Sequence, residues 1–248
     1  MSKKLDELMK LAGRDTRWEE SAFRELLKCE VYAHVPATER FVDGRIRFIQ
    51  FHRPENGELV LPFFSDKKKA LAATGATVKI VAFTGRELME LTRGATLMLN
   101  PNEMCCVLYP EEVDALLSDR PLGQTAYFTV EEGSPLTVSG ILEDPPVWMR
   151  GALIATLGAL TYVSRAYMAE VHGGAEGPSG KHYLVVVGVT VGMGERAMHA
   201  LTTAMQPHCR AHNGPILDLG FFDDPGQMPD WIEDLSIAPF YDVRFESP

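Results

Sequence analysis

The sequence predicts an α+β fold of two domains, each a mixed β-sheet with helices packed on it. The first observation is a duplicated strand–helix unit, because Leu59–Gly75 and Val78–Gly94 have equal length and matching residues at matching positions. The second is a continuous apolar segment, Lys181–Val191, which is typical of a central strand. The third is composition, since 248 residues with 46% hydrophobic content are enough for two packed cores.

The N-terminal segment predicts a short, frayed amphipathic helix, and residues 1–17 are interpreted as an extension. Thr16–Cys29 then spaces its apolar residues helically, and its opening residues match a capping box. Strands are expected next at Glu30–Val35 and at Arg45–His52, where the alternation of side chains predicts that one face is more buried than the other.

The duplicated unit predicts two strands that each lead into a two-turn helix. Ser65 and Thr84 occupy corresponding positions where an N-cap oxygen is needed. Gly75 and Gly94 stand where a helix ends in a left-handed residue. The repeat therefore has a sufficient structural explanation and needs no catalytic residue.

The rest of the first half completes one domain. Ala95–Asn102 predicts a strand closed by an Asn-Pro-Asn turn, and a short strand then leads into a helix that begins at Pro110. The first domain is predicted to span residues 18–118, followed by a linker at 119–126.

The second domain is predicted to span residues 127–248. Strands are expected at Tyr127–Val130 and Leu136–Ser139, followed by one long helix that begins at Pro145 and ends before Gly173. The remaining pattern predicts, in order, the central strand Lys181–Val191, a helix at Glu195–His212, a strand at Pro215–Phe222, a short helix or turn at Pro229–Leu235 and an edge strand at Ile237–Arg244.

Net charge is concentrated in the second half. Residues 1–120 hold 18 Lys and Arg against 19 Asp and Glu, whereas residues 121–248 hold six against 15. A field of that sign repels nucleic acid and anionic membranes and attracts a basic protein surface. The predicted contact surface consists of Asp218, Asp223, Asp224, Asp230, Glu233 and Asp234. The alternative interpretation is that these charges only keep the protein in solution.

One glycine-rich segment supports an alternative function. Gly192–Ala197 matches G-x-G-x-x-A, follows a strand and opens a helix, which is the context of a dinucleotide-binding fingerprint. Asp218 lies on the next strand, farther on than the roughly 20 residues of that fingerprint. The alternative is an anion- or nucleotide-binding sensor or enzyme whose ligand contacts Gly192, Gly194, Glu195 and Arg196 at a helix N-terminus. The structural interpretation is a glycine-rich connection that enters a helix.

No motif predicts a metal, a cofactor or a catalytic group. His208 and His212 are four residues apart on a helix, but the spacing places no third or fourth metal ligand. Neither a G-x-S-x-G elbow nor a Walker A pattern occurs, so enzymatic activity is not expected. A disulfide scaffold is not expected either, because no C-x-x-C pair is formed by Cys29, Cys105, Cys106 and Cys209.

Several segments resemble a known family. "LPFFSD", "VAFTGRELMEL", "ATLMLNPN" and "YPEEVDALL" are similar to the N-terminal domain of the SseB (enhanced serine sensitivity protein B) family of bacteria, over Trp18–Ser118. The second half resembles that family's C-terminal domain, on the Pro-led helix ending in "VSRAYMAEV" and the strand "LVVVGV". The resemblance implies a bacterial, intracellular, two-domain protein without an established enzymatic activity or catalytic residue set. Cys105-Cys106 departs from the more polar residues expected after the turn.

These observations together predict a non-enzymatic, protein-binding adaptor or regulator, associated by its family name with serine sensitivity or secretion. A cytoplasmic location is expected, because no apolar run reaches the roughly 18 residues of a membrane helix and the N-terminus lacks a signal-peptide pattern. A homo-oligomer is a further alternative, since the edge strand Ile237–Arg244 is suited to pairing across a two-fold axis.

Overall fold

The computed structural model describes residues 3–38, 41–42, 45–73, 78–103, 106–124, 137–141, 144–172, 182–226 and 228–243. The chain divides into two compact units, Met1–Leu122 and Gly123–Pro248. Each unit has its own sheet with both parallel and antiparallel pairs, so the predicted α+β class is confirmed.

The first unit contains thirteen described helices and strands. They are α1 (Lys3–Ala12), α2 (Glu19–Leu26), β1 (Glu30–Pro36), β2 (Phe41–Val42), β3 (Arg45–Ile46), β4 (Phe51–His52), β5 (Leu59–Phe64), α3 (Lys67–Ala72), β6 (Val78–Thr84), α4 (Gly85–Leu91), β7 (Thr96–Leu99), β8 (Cys106–Leu108) and α5 (Pro110–Leu117). The segment expected as one strand from Arg45 to His52 is two short strands, because β3 pairs with β2 whereas β4 pairs with β5.

The two copies of the duplicated unit lie on either side of β1. The sheet order is β6-β1-β5-β7-β8, and both β5 and β6 run antiparallel to β1. Tyr32 of β1 accordingly faces Phe64 of β5 on one side and Ala82 of β6 on the other. The repeat is thus part of the scaffold, which is the structural explanation that the sequence supports.

The helix starts of the two copies differ. Thr84 is the N-cap of α4, as predicted, and it also forms a capping box with Glu87. The prediction for Ser65 is wrong, because the N-cap of α3 is the next residue, Asp66, which accepts from the backbone N–H groups of Lys68 and Lys69. The Asp66 carboxylate also offsets the unfavourable effect of lysines at the start of this helix.

Of the two glycines that were predicted to end these helices, the structure describes only Gly94. Gly94 has φ +83°, the left-handed conformation that was predicted after α4. Gly75 lies outside the described residues.

The N-terminal helix α1 belongs to the first core and is not a frayed end. Leu5 is fully buried and packs in a cluster with residues of α2, α4, α5 and one face of the sheet. The opposite face of the sheet carries His34, Pro62, Phe64 and Met98, which lie on the alternate positions of β1, β5 and β7.

The second unit contains eight described elements. They are β9 (Thr137–Ser139), α6 (Val147–Ala159), β10 (Val163–His172), β11 (His182–Val189), α7 (Gly194–Ala211), β12 (Ile216–Asp223), α8 (Asp230–Asp234) and β13 (Tyr241–Asp242). The sheet order is β12-β11-β10-β13, with β9 also on β10, and β11 pairs parallel with β12 through the α7 crossover. The predicted strand at Tyr127–Val130 lies outside the described residues.

The prediction of one long helix from Pro145 to His172 is wrong. The helix α6 ends at Ala159, and Val163–His172 is a strand. This strand pairs with β11 on one side and with β9 and β13 on the other, so tertiary hydrogen bonding decides its conformation. The alanines and the methionine in this segment have a high helix propensity, which favoured the helix prediction, but pairing in the sheet overrides that propensity.

Helices cover both faces of the second sheet. Helices α6 and α7 pack on one face, over a core that includes Leu153, Val187 and Leu201. The short helix α8 packs on the other face through Ile232, which contacts a cluster with Val186 and Phe222. Because α8 turns Ile232 inward, its charged side chains lie on the solvent side.

Candidate functional site

Four of the six predicted acidic residues are exposed, and we call these four residues the acidic face: Asp223, Asp230, Glu233 and Asp234. Asp223 is the last residue of β12, and the other three lie on α8, where Ile232 is 1% exposed. None of the four forms an ion pair with a described residue. The chain has no Lys or Arg between Arg210 and Arg244, so the surrounding sequence supplies no countercharge.

The other two predicted acidic residues are held in internal pairs. Asp218 lies 2.5 Å from Nε2 of His182, with both side chains mostly buried. Asp224 accepts a hydrogen bond of 2.8 Å from Nη2 of Arg165 and another from the Ser164 hydroxyl. The charge of Asp224 is thus compensated by Arg165 and the Asp218 carboxylate is mostly buried beside His182, so the two residues add little to an open negative surface.

The glycine-rich segment lies between β11 and α7, at the end of two parallel strands. Gly192 has φ +82°, which explains the first glycine of the pattern. At Gly194 a Cβ atom would lie 2.1 Å from the ring of Phe221, so the second glycine is explained by packing. The guanidinium of Arg196 stacks over Tyr162 at 4.7 Å. Glu195 lies in the first turn of α7.

The surroundings of this segment do not favour a bound nucleotide. In a dinucleotide fold the acidic residue stands at the carboxyl end of the second strand. Asp218 instead lies five residues before the end of β12, about 16 Å away at about 3.3 Å per residue. Asp223 and Asp224 stand at that end of the strand; Asp224 is paired with Arg165, and the negative charge of Asp223, which forms no ion pair with a described residue, opposes binding of phosphate.

The two histidines of α7 pack on a tryptophan. Trp148 of α6 stacks with His212 at 4.7 Å and with His208 at 6.4 Å between ring centroids. Among the described residues, no group of three or more His, Cys, Asp or Glu is placed to hold a metal ion. The spacing of these histidines therefore serves the contact between α6 and α7.

The three cysteines among the described residues are half-buried. Cys29, Cys106 and Cys209 form no disulfide with one another, and Cys105 lies outside the described residues. Burial raises the pKa of the Cys209 thiol, which lowers the fraction of reactive thiolate.

A cavity in the first unit was not predicted from the sequence. This N-terminal cleft has a volume of about 440 Å³ and lies on the sheet face opposite the main core. It is lined by His34, Ile49, Phe51, Arg53, Pro54, Glu55, Pro62, Phe64, Ala73, Met98, Pro101 and Asn102. The alternation of side chains along β1, β5 and β7 indicates which of their residues share this face. Only the order of the strands in the sheet brings those residues together.

Two motif segments meet beside this cleft. Asn100, in the Leu-Asn-Pro-Asn turn, has φ +48° and is 7% exposed. Its Oδ1 accepts a hydrogen bond of 3.0 Å from the backbone N–H of Ser65, and its Nδ2 donates to the Ser65 hydroxyl at 3.1 Å. This contact fixes the turn, and so places Pro101 and Asn102 at the edge of the cleft.

Within the described residues, the structure contains no helix of the length and apolarity that crossing a membrane requires.

Comparison with known proteins finds similarity to one family. Residues 5–115 match the family model described as the SseB protein N-terminal domain. The chain is 27% identical over 172 residues to Protein SseB of Escherichia coli (strain K12), and equally to Protein SseB of Shigella flexneri. These alignments cover 67% of this chain, and the chain spans 66% of the length of each relative. No solved structure matches the chain.

Proposed function

Because the first unit of this chain belongs to the SseB N-terminal domain family, we propose that the protein is a non-enzymatic bacterial adaptor or regulator that binds another protein through the acidic face of its second unit. The observation that carries the proposal is the absence of ion pairs at Asp223, Asp230, Glu233 and Asp234 among the described residues. Negatively charged carboxylates that form no ion pair within the protein attract a partner surface that presents lysine or arginine.

The local structure supports a contact surface at this position. Helix α8 is anchored by Ile232, so the carboxylates of Asp230, Glu233 and Asp234 stand on an ordered support. Leu235, which directly follows α8, is 41% exposed, so apolar area stands beside the charges of this helix. A surface that combines charge with apolar area resembles the rim and centre of a protein interface.

We also propose a cytoplasmic location. Cys29, Cys106 and Cys209 form no disulfide among the described residues, which suits a reducing compartment. The net charge of −10 makes nucleic acid and anionic membrane unfavourable partners.

The test is affinity capture of the tagged full-length chain from a bacterial lysate at low and high salt. The test variant is Asp223→Lys/Asp234→Lys, which reverses two open charges and keeps the first-turn carboxylates of α8. The matched control is Glu7→Lys/Glu90→Lys, which makes the same change of net charge on exposed positions of the first unit.

The proposal expects a stoichiometric protein that is captured by the wild type and the control, is lost from the test variant, and is weakened by salt. Equal capture by the test variant and the wild type would show that another surface binds.

A further inference from the structure

The N-terminal cleft contains a buried histidine with one nitrogen that no described residue uses. His34 is 5% exposed, and its Nε2 lies 3.0 Å from the backbone carbonyl oxygen of Ala70. A carbonyl oxygen only accepts hydrogen bonds, so Nε2 carries the proton and donates it. In the neutral ring Nδ1 is then an acceptor, and it has no hydrogen-bond partner among the described residues.

The cleft around this ring is largely apolar. The rings of His34 and Phe64 are 4.7 Å apart, and Pro62 and Met98 lie on the neighbouring strands of the same face. Phe51 contributes a second aromatic ring from the segment between β3 and β5. Aromatic rings and a methionine sulfur favour contact with another ring.

The charged groups at the cleft compensate one another. Arg53 Nη1 lies 3.6 Å from Oε2 of Glu58, and its Nε lies 3.7 Å from Oε2 of Glu55. Nη1 of the same side chain also donates to the Tyr109 hydroxyl at 3.3 Å. Since the guanidinium has two carboxylate neighbours, the cleft offers no strong demand for an anionic ligand.

From these observations we infer that the N-terminal cleft binds a small neutral molecule with an apolar ring and one hydrogen-bond donor, which Nδ1 of His34 accepts. The volume of about 440 Å³ lies within the range of roughly 300–1,000 Å³ that is usual for small-molecule sites. A few placed polar groups in a mainly apolar cavity are typical of such sites. The inference concerns the first unit and does not depend on the acidic face.

The experiment uses phenol as the probe and fluorobenzene as a ring of similar size without a donor. Binding to the full-length chain is measured by two-dimensional NMR titration of the backbone amides. His34→Gln keeps an N–H at the Nε2 position, and so the bond to Ala70, while it removes the acceptor at Nδ1. Ala73→Phe fills the cleft, and Leu71→Phe is its matched control because Leu71 is 54% exposed and does not line the cleft.

The expected result is that both probes shift amides of the cleft segments and that Ala73→Phe abolishes these shifts while Leu71→Phe retains them. His34→Gln is expected to weaken phenol about fivefold, the effect of one neutral hydrogen bond, and to change fluorobenzene less than twofold. The inference is overturned if phenol does not bind, if Ala73→Phe leaves binding intact, or if His34→Gln weakens both probes equally.

Discussion

Removal of the Asn100 side chain tests whether the contact between the two motif segments holds the first unit together. Asn100→Ala leaves the buried N–H of Ser65 without its acceptor at 3.0 Å, which costs about 1–3 kcal/mol of unfolding free energy. It also places alanine at φ +48°, which costs about 1 kcal/mol more than a residue suited to that conformation. The expected loss is therefore about 2–4 kcal/mol.

Two further variants separate these terms. Asn100→Gly accepts the left-handed conformation, so it loses only the hydrogen bonds, about 1–3 kcal/mol. Ser65→Ala keeps the backbone N–H donor to Asn100 and loses only the hydroxyl contact, about 1 kcal/mol. The order of destabilisation is thus expected to be Asn100→Ala, then Asn100→Gly, then Ser65→Ala.

The assay is urea unfolding followed by the fluorescence of Trp18, in a background with Trp148→Phe and Trp231→Phe. Trp18 lies in the first unit, so its signal reports that unit alone. Asn100→Ala is expected to lower the midpoint by about 1–2 M, with a slope of about 2 kcal/mol/M. Equal midpoints for Asn100→Ala and Ser65→Ala would refute the reasoning, because the buried N–H would then not depend on Asn100.

Three other predictions concern single groups. Asp66→Ala removes the N-cap of α3 and is expected to cost about 1 kcal/mol in the same urea assay; an unchanged midpoint would contradict the cap. The hydrogen bonds from the Thr84 backbone and hydroxyl lower the pKa of Glu87, so their stabilisation is present above the ordinary pKa and is lost as pH falls through the lowered one. NMR titration should show Thr84→Val raising the pKa of Glu87 part of the way, because the backbone donor remains; no rise would exclude a role for the hydroxyl. Burial raises the pKa of Cys209, so this thiol is expected to react with Ellman's reagent more slowly in the folded chain than in urea, and equal rates would exclude such burial.

Local sequence patterns were sufficient where neighbouring residues supply the interactions. The capping box of Thr84 and Glu87 joins residues three positions apart, so the start of α4 could be read directly. The left-handed Gly94 and the proline at the start of α5 are equally local. The prediction that Ser65 caps α3 failed, since the side-chain partner of Ser65 is Asn100, thirty-five positions away.

The acidic face depends partly on the local sequence and partly on contacts with residues distant in the sequence. Its charge and its lack of nearby lysine and arginine are visible in the sequence. Which carboxylates remain open was decided by distant residues, because His182 pairs with Asp218 and Arg165 pairs with Asp224.

The sequence by itself determined the α+β class, the strand–helix order of the first unit and the sign of the charge in the second, since these depend on composition and short-range periodicity. The tertiary structure alone decided that Val163–His172 is a strand, because its hydrogen bonds come from β9, β11 and β13. It likewise decided the N-terminal cleft, because His34, Phe64 and Met98 share a face only once β1, β5 and β7 are neighbours. Pairing between strands distant in sequence is a long-range interaction, and no local pattern of side chains specifies it.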